Sequence, residues 1–203
     1  VDSQPFWAKI STIMTINWQK YQDFTINQIK NAQVCWDPFW HVVVEDTLHP
    51  DLLHLCNTHW PTDNWLSNTP GFNVNRRIYN LQSEFWREYS KNIMSHTNIQ
   101  QAVYSLEDLS YSRNRAIMGS LYEDTTGYAV GNHVDASQIN IAWQLYLSGD
   151  TGTNLNDENG TCLKQIPFSN NTSWIIRNDA YSWHSCDVVD VVSRRSIMLR
   201  YIN

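Results

Sequence analysis

Two neighbouring stretches, separated by three residues, decide how this chain folds: Gly131-Asn132-His133-Val134-Asp135 and Ile139-Asn140-Ile141-Ala142-Trp143-Gln144-Leu145-Tyr146-Leu147. The second stretch is apolar, with β-branched and aromatic residues, as buried strands are. Side chains two apart on a strand project from the same face, so the first stretch would present His133 and Asp135 side by side. Two ligands of one metal ion need this arrangement, although a His-x-Asp pair alone is a common chance pattern. The stretches therefore predict a β-rich core and a candidate metal site.

The order of the predicted elements gives the fold class. The N-terminal part mixes a strand over 39–44 with helices that begin at 49 and span 83–94 and 99–104. From 115 onward the pattern changes to strands over 115–122, 139–147, 174–177, 187–192 and 194–202, with turn-rich pieces at 148–152 and 156–160. Helices followed by many short strands predict a mainly β (α+β) fold, an antiparallel barrel or sandwich with the helices packed outside.

One domain is expected to span residues 1–203, because the chain contains no internal repeat, low-complexity tract or linker. Its length suffices for one substantial core and is short for two. Residues 1–110 would form a helix-rich N-terminal support, and residues 111–203 would form the β core that carries the metal site.

Composition and charge exclude several classes of protein. Hydrophobic residues make up 42% of the chain and charged residues 17%, which is typical of a folded protein rather than a disordered one. The net charge of −6 argues against a nucleic acid or an anionic membrane as partner, and no apolar run has the length of a membrane span. Ten Trp and ten Tyr predict a core rich in aromatic side chains, which can also line a small-molecule pocket.

The cysteines bear on the cellular compartment. Four are present, without the spacing of a zinc site or a disulfide framework: Cys35, Cys56, Cys162 and Cys186. We interpret them as reduced thiols of an intracellular protein, and two disulfide bonds in a secreted protein are the alternative. The stretch Val1-Asp2-Ser3-Gln4-Pro5 does not resemble a signal peptide. A cytoplasmic localisation is therefore expected.

Residues further along the chain give the His-x-Asp pair its context. His184 follows Asp135 by 49 positions, and Arg194 follows His184 by ten, in Arg194-Arg195-Ser196-Ile197-Met198-Leu199-Arg200. Two His and one carboxylate on one face of an octahedral iron leave the opposite positions open for a bidentate ligand and O2. A cosubstrate with a distal carboxylate needs a cation deeper in the barrel, and the Arg194 fork would pair with it and stay charged when desolvated. Ser196 would add a hydrogen bond from the same strand face.

In this order and at these separations, the residues resemble the Fe(II)/2-oxoglutarate-dependent oxygenases of the double-stranded β-helix fold, and among them the prolyl-hydroxylase-like branch. The resemblance covers residues 120–203. It implies a jelly-roll, cupin-like barrel in which His133, Asp135 and His184 hold Fe(II), while Arg194 and Ser196 bind the cosubstrate 2-oxoglutarate. It also implies a dioxygenase that hydroxylates a primary substrate with O2 and releases succinate and CO2.

Two tyrosines extend the resemblance. Leu121-Tyr122, ahead of the His-x-Asp motif, resembles the family strand whose Tyr bonds the cosubstrate near the metal. Leu145-Tyr146-Leu147-Ser148 resembles the family's Tyr-Leu-Asn element, whose Tyr reaches the distal carboxylate. The resemblance therefore implies that Tyr122 and Tyr146 also bind 2-oxoglutarate.

Other features depart from the family pattern or leave alternatives open. Gly152-Thr153-Asn154-Leu155 replaces a Gly-Gly-x-Thr stretch, and Arg200 competes with Arg194 because some relatives use a basic residue further along this strand. Family halogenases lack the carboxylate ligand, so Asp135 implies hydroxylation or a related oxidation. The primary substrate stays open between a peptidyl side chain and a small molecule. The alternative function is a non-catalytic, cupin-type metal- or ligand-binding module, against which Arg194 and the two tyrosines argue.

Overall fold

The computed structural model describes residues 16–62, 65–66, 75–106 and 116–202. Within these ranges the α-helices are α1 (Trp18–Asn31), α2 (Pro50–Thr58), α3 (Glu84–Tyr89) and α4 (Thr97–Ser105), and a π-helical segment, Ser90–Met94, continues α3. The strands in chain order are β1 (Val34–Cys35), β2 (His41–Val44), β3 (Trp65–Leu66), β4 (Arg76–Tyr79), β5 (Ala116–Asp124), β6 (Val130–His133), β7 (Ile139–Ser148), β8 (Thr153–Asn156), β9 (Cys162–Ile166), β10 (Ser173–Arg177), β11 (His184–Cys186) and β12 (Arg194–Ile202).

The strands form two antiparallel sheets. The larger sheet has the order β1-β2-β10-β7-β12-β5-β4-β3, and the smaller one has the order β6-β11-β8-β9. Strand β12 is paired along both edges, with β5 on one side and β7 on the other. The predicted class, mainly β with flanking helices, is confirmed by this architecture.

Strand β12 is buried on both faces, and alternation decides what each face contacts. Ile197, Leu199 and Tyr201 belong to the large hydrophobic cluster on the helix side of the sheet. Met198 belongs to a second cluster, which includes residues of the smaller sheet. Arg194, Met198 and the intervening Ser196 therefore face the space between the two sheets.

The helices cover the other face of the larger sheet. Tyr21 and Ile29 of α1 and Val103 of α4 are buried in the same cluster as the helix-side residues of β7 and β12. The Asn17 side chain caps α1 by accepting the N–H of Lys20 at 3.2 Å, which satisfies one of the unpaired amides of the first turn. The larger sheet thus lies between a helical layer and the smaller sheet, and the site lies on the sheet side.

Most of the predicted elements have counterparts, with shifted ends. The strands predicted over 39–44, 139–147, 174–177 and 194–202 correspond to β2, β7, β10 and β12, and the predicted helices correspond to α2, α3 with its π-helical continuation, and α4. Helix α1 and strands β1, β3, β4, β8 and β9 were not predicted, whereas β6 overlaps the stretch 131–135 whose His-x-Asp pair was predicted on a strand. The missed strands are short, and β9 is also exposed along most of its length. None of them therefore carries a clear apolar pattern.

The strand predicted over 187–192 is wrong. The strand in this region is β11, which begins at His184 and ends at Cys186, and the chain after it is irregular. The N–H of Val189 donates to the Tyr128 carbonyl at 2.8 Å, and its carbonyl accepts the N–H of Gly127 at 2.9 Å. Val189 is fully buried in a small cluster with Tyr128 and Cys186. Its apolar character therefore reflects packing in that cluster rather than membership of a sheet.

Three further observations concern earlier expectations. All four cysteine thiols are free. Among the described helices, none is long and apolar enough to cross a membrane. The start of the strand predicted at 115 and the last residue, Asn203, lie outside the described residues.

A glycine at the start of β8 provides a test of the packing between β8 and β9. A Cβ on Gly152 would clash with the backbone oxygen of Ile166 and lie 2.8 Å from the backbone nitrogen of Phe168. Because these are backbone atoms, the two strands would have to separate. We expect Gly152→Ala to lower the free energy of unfolding by about 2–4 kcal/mol, measured by denaturant unfolding.

Gly131 offers a matched control, because a Cβ added there meets nothing within 4 Å. Gly131→Ala should change the free energy of unfolding by less than about 0.5 kcal/mol. An equal loss of stability in the two variants would contradict the close approach of β8 and β9.

Candidate metal centre

Two histidines meet across a pair of strands in the smaller sheet. His133 is the last residue of β6, His184 is the first residue of β11, and the two are register partners. Their ring centroids lie 4.3 Å apart. The Nδ1 atoms of His133 and His184 each lie 2.9 Å from a backbone carbonyl, of Gly131 and Ser182 respectively. Since a carbonyl only accepts, both Nδ1 atoms carry the proton, which leaves both Nε2 lone pairs for a metal ion.

Asp135 completes the group. It follows the end of β6, so it does not lie on a strand as the sequence predicts, yet its carboxylate comes close to both rings. One ligand atom from each of His133, Asp135 and His184 lies within 4.8 Å of the other two. The Asn178 side chain holds the loop, donating to the backbone carbonyls of Asp135, Ala136 and Ile139 at 3.2, 3.0 and 2.9 Å.

The electrostatic environment keeps the buried imidazole in the form that binds metals. His184 is 7% exposed, and its pKa is lowered, first by burial and then by the nearby charge of His133. Neutral imidazole is the form that coordinates a metal ion. Cys186, two residues on, lines the same cavity, but burial raises the pKa of its thiol. The ligand atoms that converge are those of two imidazoles and one carboxylate, and Cys186 is not part of this group.

This donor set fits a divalent first-row metal such as Fe(II). Two His and one carboxylate with open coordination positions are the ligands that non-haem iron takes in oxygenases. The two Nδ1–carbonyl hydrogen bonds fix the tautomer and the ring orientation, as outer partners of metal-bound His do. The three side chains open into a cavity of about 90 Å³ between the two sheets. A bound ion would therefore face an internal space rather than bulk solvent alone.

Three arginines line this cavity together with the candidate ligands: Arg76, Arg194 and Arg200. Arg194 is 1% exposed; its Nε donates to the Thr151 carbonyl at 2.7 Å and its Nη1 to Asp124 at 2.7 Å. Its Nη2 is buried and has no hydrogen-bond partner among the residues that the structure describes. A buried charged donor without a partner is costly, so this nitrogen is suited to an anionic ligand.

A glycine lets the chain pack against Arg194. Gly149 has a φ of +136°, and a Cβ there would lie 2.7 Å from Arg194 Cγ and 3.2 Å from its Cα. Only glycine tolerates both the left-handed backbone and this close approach. The turn thereby places the Thr151 carbonyl where it accepts the hydrogen bond from Arg194 Nε.

Arg200, the competing anchor, is half-buried on the same face of β12. Its Nη1 donates to the Tyr122 hydroxyl at 2.8 Å. Tyr122 is thus held by Arg200. Among the described residues, the cavity is lined by Tyr128 and not by Tyr122. Arg194 and Arg200 both line the cavity. Which of them is better suited to bind a carboxylate there therefore depends on the hydrogen bonds that each already makes.

The other two predicted cosubstrate ligands lie just behind the cavity wall. The Ser196 hydroxyl is fully buried and accepts the Gln144 side-chain amide at 2.8 Å, and Gln144 lines the cavity. The Tyr146 hydroxyl bonds to the Thr153 hydroxyl at 2.7 Å and accepts Trp174 Nε1 at 2.9 Å. The Tyr146 ring also lies 5.1 Å from the Arg194 guanidinium carbon. Its contacts thus position Arg194, and its hydroxyl already has two partners.

Sequence reasoning missed Asp124, which contacts Arg194, and Arg76, which contacts Asp124. Arg76 is 48 residues from Asp124, and the two meet because β4 and β5 place them in register. The only sequence signal was the basic pair Arg76-Arg77, which by itself indicates nothing about a site.

Comparison with known proteins shows the fold. No protein-family model and no curated protein matches the sequence. Three solved structures share the fold over most of the chain, and the first is an oxidoreductase of the 2OG-Fe(II) oxygenase family from Burkholderia pseudomallei, with a TM-score of 0.59 and 10% identity over 80% of this chain and 84% of that one. The second is a prolyl-4-hydroxylase from Pseudomonas putida, with a TM-score of 0.52 and 11% identity over 88% of this chain and 92% of that one. The third is a prolyl 4-hydroxylase from Phytophthora capsici, with a TM-score of 0.57 and 13% identity over 96% of this chain and 70% of that one.

The chain therefore has the jelly-roll fold of the 2OG-Fe(II) oxygenases. Two of these three neighbours are prolyl 4-hydroxylases, so the fold is the one that the sequence resemblance implies. At 10–13% identity the likeness is one of fold, and the chemistry of the site rests on its own residues.

Removal of a ligand should abolish metal binding. We expect His133→Ala, Asp135→Ala and His184→Ala each to weaken Mn(II) or anaerobic Fe(II) binding by more than about 100-fold, since the loss of an outer partner alone costs up to about that much. Isothermal titration calorimetry measures the affinity. His54→Ala serves as the control, because His54 is exposed on α2 and far along the chain from the group. Unchanged affinity in all three ligand variants would rule out the metal centre.

Proposed function

We propose that this protein is an Fe(II)- and 2-oxoglutarate-dependent dioxygenase that hydroxylates a primary substrate and releases succinate and CO2. The observation that carries the proposal is the group of His133, Asp135 and His184, whose ligand atoms lie within 4.8 Å of one another at a cavity that Arg194 also lines. A metal triad and a buried cation facing one cavity are what an iron ion with a chelating dicarboxylate requires.

Each residue of the group has a defined task. The Nε2 atoms of His133 and His184 and the Asp135 carboxylate would hold Fe(II), and the backbone carbonyls at their Nδ1 atoms keep the imidazoles aimed at it. When bound, iron and 2-oxoglutarate would supply the oxidation, with O2 as the oxidant. Trp174 and Met198 form part of the apolar cavity wall, which limits the access of water to the reacting atoms.

Arg194 is the residue proposed to anchor the distal carboxylate of 2-oxoglutarate. Its guanidinium is almost completely buried, and its Nη2 has no hydrogen-bond partner in the described part of the chain. Arg200 is less buried and uses one nitrogen on the Tyr122 hydroxyl. The larger desolvation and the unpaired donor favour Arg194, because a carboxylate that fills that position removes an unsatisfied charge.

The remaining cosubstrate residues support this anchor. The Ser196 hydroxyl accepts a hydrogen bond from Gln144 and keeps its own proton for donation, as a second contact to a carboxylate would need. We propose that Tyr146 acts mainly by packing under Arg194 and Tyr122 by holding Arg200. The four free thiols favour a reducing compartment, and we propose the cytoplasm.

Turnover without the primary substrate tests the proposal. We expect the iron-loaded protein to release succinate slowly from 2-oxoglutarate in the presence of O2 and ascorbate, measured by chromatography. Intact metal binding with neither succinate release nor calorimetric 2-oxoglutarate binding would support the non-catalytic, cupin-type module instead.

Substitution of the arginines distinguishes the two anchors. Arg194→Ala should raise the Kd for 2-oxoglutarate about 10- to 100-fold, the loss expected for a charge-assisted pair, while Mn(II) affinity is unchanged. Arg87→Ala, on the exposed face of α3, is the control and should have no effect. A loss of 2-oxoglutarate binding from Arg200→Ala but not from Arg194→Ala would move the anchor to Arg200.

A further inference from the structure

Three charged residues lie side by side across three neighbouring strands. Arg76 on β4 and Arg194 on β12 are both register partners of Asp124, which ends β5 between them. Asp124 is completely buried, and the side chains of Arg194 and Arg76 are 1% and 14% exposed. Arg76, Asp124 and Arg194 form a charged row. Because water screens these buried charges poorly, the net charge of the row determines how strongly it attracts an anion.

Arg76 occupies most of the Asp124 carboxylate. Its Nε donates to Oδ1 at 2.6 Å and its Nη2 to Oδ2 at 2.9 Å, the bidentate geometry of a strong pair. Two aromatic rings hold the guanidinium from its flanks, since the rings of Tyr122 and Tyr128 each lie 4.2 Å from its central carbon. Arg194 reaches the same carboxylate with a single nitrogen, Nη1, at 2.7 Å.

The row therefore carries two positive charges and one negative charge. The neighbouring acid, Glu123, does not change this balance, because it points to the other face of β5 and contacts Arg77, Arg195 and Ser193. If Arg76 were absent, Asp124 would pair with Arg194 alone and cancel its charge. With Arg76 present, the row keeps a net charge of one, and the Nη2 of Arg194 has no hydrogen-bond partner among the described residues.

We propose that Arg76 is a positioning residue of the cosubstrate site, which engages Asp124 so that Arg194 stays electrostatically uncompensated and selects 2-oxo acids with a second carboxylate. The inference rests on the proposed function and adds a residue from β4, outside the strands that hold the metal group. Arg76 acts through Asp124, and its effect is confined to the charged end of the ligand.

Two ligands that differ only at that end separate this role from a general structural one. 2-Oxovalerate has the carbon backbone of 2-oxoglutarate, with a methyl group in place of the distal carboxylate. Binding of each ligand to the Mn(II)-loaded protein is measured by calorimetry without O2, and unfolding and Mn(II) titrations verify that each variant is folded. The wild-type protein should prefer 2-oxoglutarate.

Arg76→Gln should weaken 2-oxoglutarate binding about 10- to 100-fold, because the distal carboxylate then meets a neutral Asp124–Arg194 pair. The affinity for 2-oxovalerate should not change. Arg76→Lys keeps the charge but loses the bidentate fork, so its loss should be smaller than that of Arg76→Gln.

The double variant Arg76→Gln/Asp124→Asn provides the sharpest test. It removes one charge of each sign and restores the net charge of one, so it should recover most of the 2-oxoglutarate affinity that Arg76→Gln loses. Replacing both members of a buried ion pair by neutral groups is also tolerated better than removing one. The double variant and Arg76→Lys keep the test decisive should Arg76→Gln fail to fold.

Several outcomes would overturn the inference. One is that Arg76→Gln lowers the affinity for both ligands equally, and another is that the double variant binds 2-oxoglutarate no more tightly than Arg76→Gln. Either result would show that Arg76 has only a structural role, while the proposed function stands. A wild-type protein that binds 2-oxoglutarate no better than 2-oxovalerate would remove both the proposed function and the inference built on it.

Discussion

Burying the Arg194 guanidinium between two sheets is the constraint on which the rest of the site depends. A desolvated cation is stable only with partners of high quality, and breaking one such buried pair costs about 3–5 kcal/mol. The structure satisfies most of the group from different parts of the chain: Asp124 on β5, the Thr151 carbonyl in the turn after β7, and the ring of Tyr146 below it. Its Nη2, which has no partner among the described residues, marks where a ligand would complete the set.

The sequence was sufficient for the parts of the fold and site that depend on local pattern. His133 and Asp135 are two residues apart, and β7 and β12 carry long, largely apolar runs, so these features are readable without tertiary information. Helix α1 was missed because its buried positions are Tyr21, Gln22, Thr25 and Ile29, of which only the last is aliphatic. Its stability comes from packing against the other helices rather than from an obvious hydrophobic stripe.

Features that depend on register could not be predicted. A single sequence does not say which residue of β4 faces which residue of β5, so the pairing of Arg76 with Asp124 had no local signature. The same limit explains the error over 187–192, where valines suggested a strand. Val189 packs instead against Tyr128, a contact that is set by how two irregular segments cross. Val189 is buried there, but in an irregular segment rather than in the predicted strand.

The Asn178 side chain connects the two loops that present the candidate ligands. Its amide nitrogen donates to the backbone carbonyls of Asp135, Ala136 and Ile139, and its amide oxygen accepts the hydroxyl of Ser182 at 3.4 Å. Ser182 is in turn the residue whose carbonyl orients His184. One amide thus immobilises both loops during folding, so the entropy of ordering them is lost before any ion arrives. Capture of the ion then requires little rearrangement of the chain, which favours both affinity and a fixed coordination geometry.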